Sequence, residues 1–321
     1  MIDNKFRVGV VGAGAAGLCA VKNALEFGCV VTAFEKSGEI GGTWIYTDDV
    51  GKDKNVPKVP GQKTFKGKQM HSQNYRNPQV YENESVLVIG GGPSGIDIAV
   101  EIGKYAKRVG WSNRLKSSGI DFGISLPEAV KPMPDVVEFT ETGAKFCDGS
   151  FEEYSVVFYA TGYSYNFPFL SVDSGLSSHD KFIYPLYKHC LNISRPTLGI
   201  ISLTGFSLVM PLFDLQVRFC LTFMTNQKPL PSRDEMLYDT DNEMNERWKT
   251  MEKCKSHFIG LERNASYCED IAKTAGIVPL KPAVVKMFNE NFSRFFGNFN
   301  EFRNFHYKII DDENFVVSKF S

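Results

Sequence analysis

Two segments of the chain share one pattern, in which a short run of β-branched apolar residues leads through glycines into a helix-forming stretch. The sequences are RVGVVGAGAAGL over 7–18 and SVLVIGGGPSGI over 85–96. An uninterrupted apolar run with such bounds is typical of a strand buried on both faces of a parallel sheet. Helices are predicted to follow over 15–27 and 94–106. The pattern therefore predicts an α/β fold with two strand–turn–helix units.

The rest of the chain is predicted to contain a connection, further strands and a helical C-terminal region. Residues 48–64 are rich in lysine, proline and glycine without a periodic pattern, which indicates a connection. Apolar runs at 154–163 and 198–205 predict core strands. From about residue 231 the pattern turns helical, and Ser232 and Glu235 fit a capping box. Phenylalanines at three- and four-residue spacing predict the packing face of a later helix (Phe288, Phe292, Phe295, Phe299, Phe302).

Charge and composition exclude several classes of protein. The 321 residues include 36 basic and 37 acidic side chains, so the basic footprint of a nucleic-acid-binding protein is missing. Hydrophobic residues make up 43% of the chain, which is enough for a sizeable core and argues against disorder. No run of roughly 18 apolar residues could span a bilayer, and glycines interrupt the apolar stretch at 6–20 that imitates a signal peptide. We expect a cytoplasmic protein without a transmembrane anchor, and homo-oligomerisation stays open.

Cysteine and histidine residues, which often form compact redox or metal-binding motifs, are scattered along the sequence. Seven cysteines without a Cys-x-x-Cys pair argue against a zinc site, a dithiol redox centre and a disulfide framework. The five histidines form no cluster in the sequence. No metal site is therefore predicted.

The first glycine segment has the spacing of a dinucleotide-binding turn. Gly12 permits a tight turn, Gly14 lets the backbone approach a pyrophosphate, and Gly17 lets helix and strand pack closely. The pyrophosphate would lie on the free N–H groups at the helix N-terminus. Glu35 ends the next predicted strand, where its carboxylate could accept hydrogen bonds from both ribose hydroxyls of an adenosine. The segment 41–44 (GGTW) could bring backbone and an indole against the cofactor, or it could be a plain turn.

The second glycine segment, 90–95 (GGGPSG), is equally well placed but is followed by a different strand end. Residues 108–114 contain no acidic side chain, and Ser112 and Arg114 are taken to stand where Glu35 stands in the first unit. A carboxylate would repel a 2′-phosphate, whereas a guanidinium and a hydroxyl would bind it. This favours NADPH over NADH. The alternative is that Arg114 is only a solvated charge at the end of a strand.

Together the two units predict FAD in the first and NADPH in the second, because a flavin accepts hydride from a nicotinamide. The candidate FAD contacts in the first unit are Gly12, Ala13, Gly14, Ala15, Ala16, Gly17, Glu35, Lys36, Gly42, Thr43 and Trp44. The candidate NADPH contacts are Gly90, Gly92, Pro93, Ser94, Gly95, Ile96, Asp97, Ser112 and Arg114. Without a Cys-x-x-Cys pair to take electrons from the flavin, oxygen or a quinone is the candidate acceptor.

A pattern between the two glycine segments resembles flavin-containing monooxygenases. Residues 65–75 (FKGKQMHSQNY) match the family signature Phe-x-Gly-x-x-x-His-x-x-x-(Tyr/Phe) through Phe65, Gly67, His71 and Tyr75. The tyrosine stands where Baeyer–Villiger monooxygenases have tryptophan, which favours the branch that oxidises heteroatoms. Segments 160–163 (ATGY) and 211–218 are similar to later parts of the family, and by that resemblance Gln216 lies near the flavin. The chain looks most like insect members, some of which N-oxygenate plant alkaloids.

The resemblance implies two Rossmann-like dinucleotide-binding domains and a helical C-terminal region. An FAD domain would cover 1–75 and 151–321, with an NADPH domain over 76–150 inserted into it. NADPH would reduce FAD, dioxygen would form a C4a-hydroperoxyflavin, and a nucleophilic nitrogen or sulfur of a small xenobiotic or alkaloid would take the oxygen. His71 is the candidate catalytic residue, with a bracing role in the linker between domains as the alternative.

The resemblance is interrupted between Trp44 and Phe65, where only 20 residues stand in place of a much longer segment. By the resemblance, the missing part would carry flavin contacts and one wall of the substrate pocket. A third parallel strand also needs a crossover of about a dozen residues, for which the segment has no apolar run. The first domain is therefore expected to be incomplete. This leaves two alternatives to a monooxygenase: an uncoupled NADPH oxidase that releases hydrogen peroxide, and a catalytically dead nucleotide-binding form.

Overall fold

A computed structural model describes residues 5–45, 55–113, 126–165, 167–179, 182–205, 207–251, 255–297, 299 and 301–320. The chain divides into two compact units. Unit 1 comprises residues 1–46, 165–291 and 305–321, and unit 2 comprises residues 47–164 and 292–304. Helices and parallel sheets are mixed along the chain, which confirms the predicted α/β class.

The strands and helices predicted around the two glycine segments are present, whereas the run at 198–205, predicted as a core strand, forms only isolated β-bridges at Gly199 and Gly205. The helices are α1 (Ala15–Glu26), α2 (Pro93–Ile102), α3 (Val209–Met224), α4 (Arg233–Trp248), α5 (Leu261–Ala275) and α6 (Pro282–Gly297). The strands are β1 (Arg7–Val11), β2 (Val30–Phe34), β3 (Lys68–His71), β4 (Ser85–Ile89), β5 (Arg108–Ser112), β6 (Val130–Met133), β7 (Val136–Phe139), β8 (Gly143–Phe146), β9 (Phe151–Glu153), β10 (Val156–Tyr159), β11 (Ser177–His179), β12 (Phe182–Tyr184), β13 (Leu186–Tyr187), β14 (Leu191–Asn192), β15 (Phe305–Ile309) and β16 (Phe315–Lys319).

Unit 2 is built on a five-stranded sheet in the order β3-β10-β4-β5-β6, in which neighbouring strands are parallel. Apart from Ser85, its strands β4 (SVLVI) and β10 (VVFY) consist of aliphatic and aromatic residues whose side chains are largely buried on both faces. Helix α2 shares a core with the sheet through Ile96, Ala99 and Ile102, which cluster with Val86 and Val88. The prediction of a doubly buried strand after residue 84 is confirmed.

The corresponding strands of unit 1 are exposed. Within the described residues, β1 and β2 form a two-stranded parallel sheet in which Val11 lies opposite Phe34. Val11 and Phe34 have 63% and 58% of their surfaces exposed. Helices α1 and α3 contribute to the apolar cover of the pair through Ala24, Val217 and Leu221. The predicted burial on both faces is wrong for this unit, because the described part of the chain gives these strands no further neighbour.

The division into units differs from the predicted domain boundaries. Strands β3 and β10, which the sequence assigned to the FAD domain, belong to the sheet of unit 2, where Val156 lies opposite both Lys68 and Val86. Residues 292–304 also belong to unit 2, since Phe295 and Phe299 pack in the core that surrounds its sheet. Ladder hydrogen bonds and packing therefore place residues 55–75 and 151–164 with the second glycine segment.

The region after residue 231 is helical from α4 to α6, as predicted, but α3 lies before the predicted helical region and residues 305–319 form an antiparallel hairpin of β15 and β16. The predicted capping box opens α4: Ser232 Oγ accepts the Glu235 N–H at 3.3 Å, and the Glu235 carboxylate accepts the Ser232 N–H at 2.8 Å. No described helix is both long and apolar enough to cross a membrane.

A buried polar network inside unit 1 was not anticipated from the sequence. His257 Nε2 accepts the Ile183 N–H at 3.1 Å, and the Nδ1 atoms of His257 and His189 are 3.0 Å apart. His189 Nε2 lies 3.1 Å from Glu243 Oε1, and Arg247 donates to the same oxygen at 3.1 Å. His257 Nε2 also lies 3.1 Å from the Ile183 carbonyl oxygen. In the tautomer in which Nε2 accepts the Ile183 N–H, two neutral imidazoles each donate one hydrogen bond and accept one, and the last bond ends on the carboxylate. The network ties β12 to α4.

This network predicts that unit 1 loses stability in acid. Burial lowers the pKa of His257 from 6.5 to about 3, and the neighbouring His189 acts in the same direction. The unfolded chain therefore takes up the proton first as the pH falls, and stability is lost from about pH 6.5 towards pH 3. Burial raises the pKa of Glu243, but the His189 hydrogen bond and Arg247 outweigh this and lower it from 4.5 to about 2. Glu243 therefore adds a further loss of stability only below pH 4.5.

We expect urea unfolding to show this effect between pH 6.5 and 4.5, where His257 acts before Glu243. The free energy of unfolding should fall by up to about 1.4 kcal/mol per pH unit on account of His257. In His257→Gln, this dependence of the free energy of unfolding on pH should disappear between pH 6.5 and 4.5. A variant that loses stability with pH as steeply as the wild type would contradict the assignment.

Candidate functional site

The first glycine turn of unit 1 has the geometry of an anion-binding loop. Gly12 has φ +96°, a left-handed value that favours glycine, and its N–H donates to the Phe34 carbonyl at 2.7 Å. A Cβ atom at Gly17 would lie 1.9 Å from the carbonyl oxygen of Gly12, so α1 can approach the turn only with glycine there. No side chain caps α1 at Gly14. The N–H groups of its first turn can therefore bind a pyrophosphate.

Glu35 closes this turn from the end of β2. Its Oε1 accepts the Ser37 N–H at 2.9 Å, and its Oε2 accepts the Ala13 N–H at 2.7 Å. These hydrogen bonds, that from Ser37 first, lower the pKa of Glu35 from 4.5 to about 2. The carboxylate is therefore ionised at neutral pH, and its two oxygens have lone pairs left for ribose hydroxyls.

The segment 41–44 lies directly against the glycine turn. Gly41 donates its N–H to the Ala13 carbonyl at 2.9 Å, and a Cβ atom at Gly42 would lie 2.8 Å from Gly14 Cα. Lys36 and Thr43 are exposed, and Trp44 has 77% of its surface in solvent. The turn, Glu35 and the segment 41–44 thus form one site within unit 1.

Gln216 does not contribute to the exposed part of that site. It is fully buried on α3, where its Oε1 accepts the Ser202 N–H at 3.2 Å and its amide donates to Tyr267 Oη at 2.9 Å. Tyr267 in turn donates to the Lys188 carbonyl at 2.8 Å. The amide holds core segments together, and a position of Gln216 near the flavin stays a prediction.

The second glycine turn, in unit 2, repeats the first. Gly90 has φ +130° and donates its N–H to the Ser112 carbonyl at 2.9 Å. A Cβ atom at Gly95 would lie 2.0 Å from the Gly90 carbonyl oxygen, and that oxygen also accepts the Trp111 indole N–H at 3.0 Å. Helix α2 begins with Pro93 at its first position, where a missing N–H costs no helical hydrogen bond. The residues present therefore fit a second pyrophosphate.

The residues predicted to surround this second turn have different roles. Ser112 is buried, and its hydroxyl donates to the Pro134 carbonyl at 2.7 Å. Asp97 accepts from one guanidinium nitrogen of Arg303 at 2.9 Å on each carboxylate oxygen, although burial raises its pKa. Arg114 lies outside the described residues. The sequence interpretation missed Asn113, the buried residue directly after β5.

The motif at 65–75 has a structural role in unit 2. His71 is buried, its Nδ1 accepts the Gln73 N–H at 3.2 Å, and its Nε2 is 2.9 Å from the Gly162 carbonyl oxygen. A neutral imidazole therefore donates through Nε2 and ties β3 to the ATGY segment, whose Tyr163 ring packs edge-on at 5.2 Å. These contacts of His71 lie inside unit 2, so both the catalytic role and the bracing of a linker between domains stay predictions.

The other residues of the motif pack tightly. A Cβ atom at Gly67 would lie 2.4 Å from the ring of Phe65 and 2.5 Å from the Ser155 carbonyl oxygen. Tyr75 packs edge-on against Phe158 at 6.0 Å, and burial raises its pKa to about 12. The motif thus secures the edge strand of the sheet in unit 2.

Comparison with known proteins shows what the chain is similar to. Residues 5–56, 52–121 and 123–310 match a family model described as flavin-binding monooxygenase-like. Senecionine N-oxygenase of Tyria jacobaeae is 30% identical over 263 residues, which cover 81% of this chain and 57% of that protein. Flavin-containing monooxygenase FMO GS-OX3 of Arabidopsis thaliana is 36% identical over 193 residues, or 58% of this chain and 41% of that protein. The chain thus spans about half the length of these relatives.

A longer alignment bears on the predicted internal gap. Flavin-containing monooxygenase 5 of Rattus norvegicus aligns over 356 positions, 29% identical, covering 84% of this chain and 64% of that protein. Because 356 positions exceed the 321 residues of this chain, the alignment includes positions that this chain lacks. A deletion relative to that protein follows, while its position between Trp44 and Phe65 stays a prediction.

Two solved structures have the same fold. S-allyl-L-cysteine S-oxygenase from Allium sativum superposes with a TM-score of 0.84 at 21% identity, covering 93% of this chain and 94% of that one. Tmm from a Pelagibacter species superposes with a TM-score of 0.80 at 18% identity, covering 98% of this chain and 96% of that one. At these identities the likeness concerns the fold.

Proposed function

The chain belongs to the flavin-binding monooxygenase-like family, and from this premise we propose that it binds FAD in unit 1 and NADPH in unit 2 and oxygenates a nucleophilic nitrogen or sulfur atom of a small molecule. The observation that carries the proposal is the repeated glycine turn, closed by an ionised Glu35 in unit 1 and followed by a neutral Asn113 in unit 2. Relatives named for N-oxygenation and S-oxygenation support the substrate class.

In unit 1, the proposed role of the protein is to hold the adenosine end of FAD. The first N–H groups of α1 would bind the pyrophosphate, and the oxygens of Glu35 would accept the ribose hydroxyls. The contact between Gly42 and Gly14 keeps the segment 41–44 beside the turn, where Thr43 and Trp44 are free to meet the cofactor.

In unit 2, the N–H groups at the start of α2 would bind the pyrophosphate of NADPH. The bound flavin would accept hydride from NADPH and supply the chemistry of oxygen transfer from dioxygen. The chain's own residues bind and orient the two carriers, and His71, with both ring nitrogens engaged, takes no part in proton transfer in this proposal.

Exposure at the first site favours a second candidate function, the uncoupled oxidation of NADPH to hydrogen peroxide. Oxygen transfer requires that water be kept from the reacting centre. Trp44, Val11 and Phe34 all face solvent in unit 1, so the described residues offer little cover there. The third alternative is a protein that binds nucleotides but has no catalytic activity.

The experiment that separates these functions measures three quantities on FAD-loaded protein in air: NADPH consumed, hydrogen peroxide released, and product formed from N,N-dimethylaniline or methyl phenyl sulfide. The proposal predicts N-oxide or sulfoxide in amounts that match the NADPH consumed. Peroxide equal to NADPH without any oxygenated product would establish the uncoupled oxidase instead. Failure to retain FAD would leave only the dead form.

A further inference from the structure

The second glycine turn is bonded to a tryptophan in the core of unit 2. Trp111 lies on β5, is only 4% exposed, and packs in one cluster with Ile96 and Ala99 of α2. Because a buried indole N–H needs an acceptor, this side chain is directional as well as apolar. The acceptor is the Gly90 carbonyl oxygen, at 3.0 Å. A core side chain thus holds one peptide group of the turn.

Gly90 is held on both sides by β5. Its N–H is donated to the Ser112 carbonyl at 2.9 Å, and its carbonyl accepts the N–H of Trp111. The same carbonyl oxygen is the point at which α2 approaches the turn, since a Cβ atom at Gly95 would lie 2.0 Å from it. The position of the Gly90 carbonyl therefore sets the position of the first turn of α2.

The outer side of this turn has room for a ligand. A Cβ atom at Gly92 would meet no atom of the described chain within 4 Å, and no described side chain caps α2 there. The N–H groups at the start of the helix, which would bind the pyrophosphate, are therefore not covered by a side chain.

Unit 1 forms its glycine turn with an alanine at the equivalent position. The last residue but one of the strand is Ala33 in β2 and Trp111 in β5. A methyl group cannot donate a hydrogen bond, yet α1 approaches its turn as closely as α2 does, because a Cβ atom at Gly17 would lie 1.9 Å from the Gly12 carbonyl oxygen. The indole N–H is therefore not required for such a turn to form, and its effect is on how firmly the turn is held.

We infer, resting on the function proposed above, that Trp111 is a positioning residue for the coenzyme of unit 2. Its indole N–H holds the Gly90 carbonyl, and through it the N–H groups at the start of α2, in the arrangement that binds the pyrophosphate. The indole is buried and acts only through the turn. A turn that is already ordered does not have to be ordered by the coenzyme, and this raises affinity.

The test measures the dissociation constant of NADP⁺ on FAD-loaded protein by titration calorimetry. Trp111→Phe keeps an aromatic ring in the core but has no N–H. NADP⁺ should bind about tenfold more weakly, because binding must then order the turn. FAD content should stay at the wild-type level, since FAD is assigned to unit 1.

Hydrogen exchange without coenzyme separates positioning from general stability. In Trp111→Phe, the backbone amides of residues 90–96 should exchange faster than in the wild type, while those of the other strands of unit 2 exchange as before. A side chain that only stabilised the fold would instead speed exchange throughout unit 2 when it is replaced.

Trp248→Phe is the matched control. Trp248 donates its indole N–H to Ser256 Oγ at 2.8 Å in unit 1, so the same substitution removes the same kind of donor away from the second turn. The dissociation constant of NADP⁺ should equal that of the wild type.

A measurement on the wild type covers the case in which Trp111→Phe does not fold. Coupling between two events is reciprocal, so a coenzyme that depends on the anchored turn also holds the anchor. In protein labelled with ¹⁵N-tryptophan, saturating NADP⁺ should slow exchange of the Trp111 indole N–H at least about threefold and leave that of Trp248 unchanged. Trp44→Phe and Trp248→Phe identify the other two indole signals.

The outcomes distinguish this inference from the proposed function. If the wild type does not bind NADP⁺, the proposed function fails and the inference fails with it. If the wild type binds NADP⁺ and Trp111→Phe binds it as tightly, the inference is overturned and the proposed function stands. The same conclusion follows if exchange rises equally throughout unit 2, or if NADP⁺ leaves exchange of the Trp111 indole N–H unchanged.

Discussion

Gly17→Ala is expected to cause the largest loss of FAD binding, at the first glycine turn of unit 1. The added methyl group would lie 1.9 Å from the Gly12 carbonyl oxygen and 2.9 Å from its carbonyl carbon, so the turn and α1 must move apart. The N–H groups that would hold the pyrophosphate then lose their alignment. Each hydrogen bond to a charged group is worth about 1.5–3 kcal/mol, so the loss of two weakens FAD binding at least about a hundredfold. The ratio of flavin to protein absorbance after gel filtration measures the effect.

Gly38→Ala is the matched control for this change. Gly38 also follows β2 in unit 1, but a Cβ atom there would meet no atom within 4 Å. FAD content should equal that of the wild type. Retention of FAD by Gly17→Ala at the level of this control would show that the first glycine turn is not the flavin site.

Gly95→Ala should affect the other coenzyme, NADPH, and leave FAD bound. Its Cβ atom would lie 2.0 Å from the Gly90 carbonyl oxygen, which is the equivalent clash in unit 2. This variant should keep its FAD and lose NADPH binding, because the two turns belong to different units. Loss of FAD in Gly95→Ala at native stability would contradict the assignment of one coenzyme to each turn.

The second large effect is expected on stability, from Glu243→Ala. The Arg247 side chain is only 1% exposed, and Glu243 is its carboxylate partner. Removing one partner of a buried ion pair leaves the other charge uncompensated, which costs about 3–5 kcal/mol. Because the side chain of Glu243 is 33% exposed, we expect about 3 kcal/mol, measured by urea unfolding at pH 7.

Glu246→Ala on the same helix is the control for helix propensity and charge. Glu246 is paired with Lys249 at the surface, and such exposed pairs contribute about 0–1 kcal/mol. Equal losses in Glu243→Ala and Glu246→Ala would mean that the buried network does not stabilise unit 1.

Local patterns predicted the elements well and their surroundings poorly. The runs that became β1 (RVGVV) and β4 (SVLVI) are both rich in β-branched residues, and both formed parallel strands as predicted. Only β4 is buried, because burial depends on neighbouring strands that lie far away in the sequence. An apolar run predicts a strand, but it does not contain the elements that would cover it.

The candidate sites show the same limit. The glycine turns and Glu35 could be located because their residues are close in sequence and their spacing has a physical cause. After β5 the sequence interpretation named Ser112 and Arg114, whereas counting 23 residues from each first glycine leads to Glu35 in one unit and to Asn113, which lies between those two residues, in the other. His189, Glu243 and His257 are far apart in the chain and carry no motif, so only the folded structure brings them together.

The two glycine turns can be distinguished by the fluorescence of a tryptophan beside each of them. Trp44 stands in water beside the first turn, whereas the buried Trp111 donates its indole N–H to the carbonyl of Gly90 in the second. A water-soluble quencher such as iodide should reach the former and spare the latter. In Trp248→Phe, which removes the third tryptophan at the end of α4, fluorescence at the red edge would follow occupancy of the first turn and the quencher-resistant emission would follow occupancy of the second.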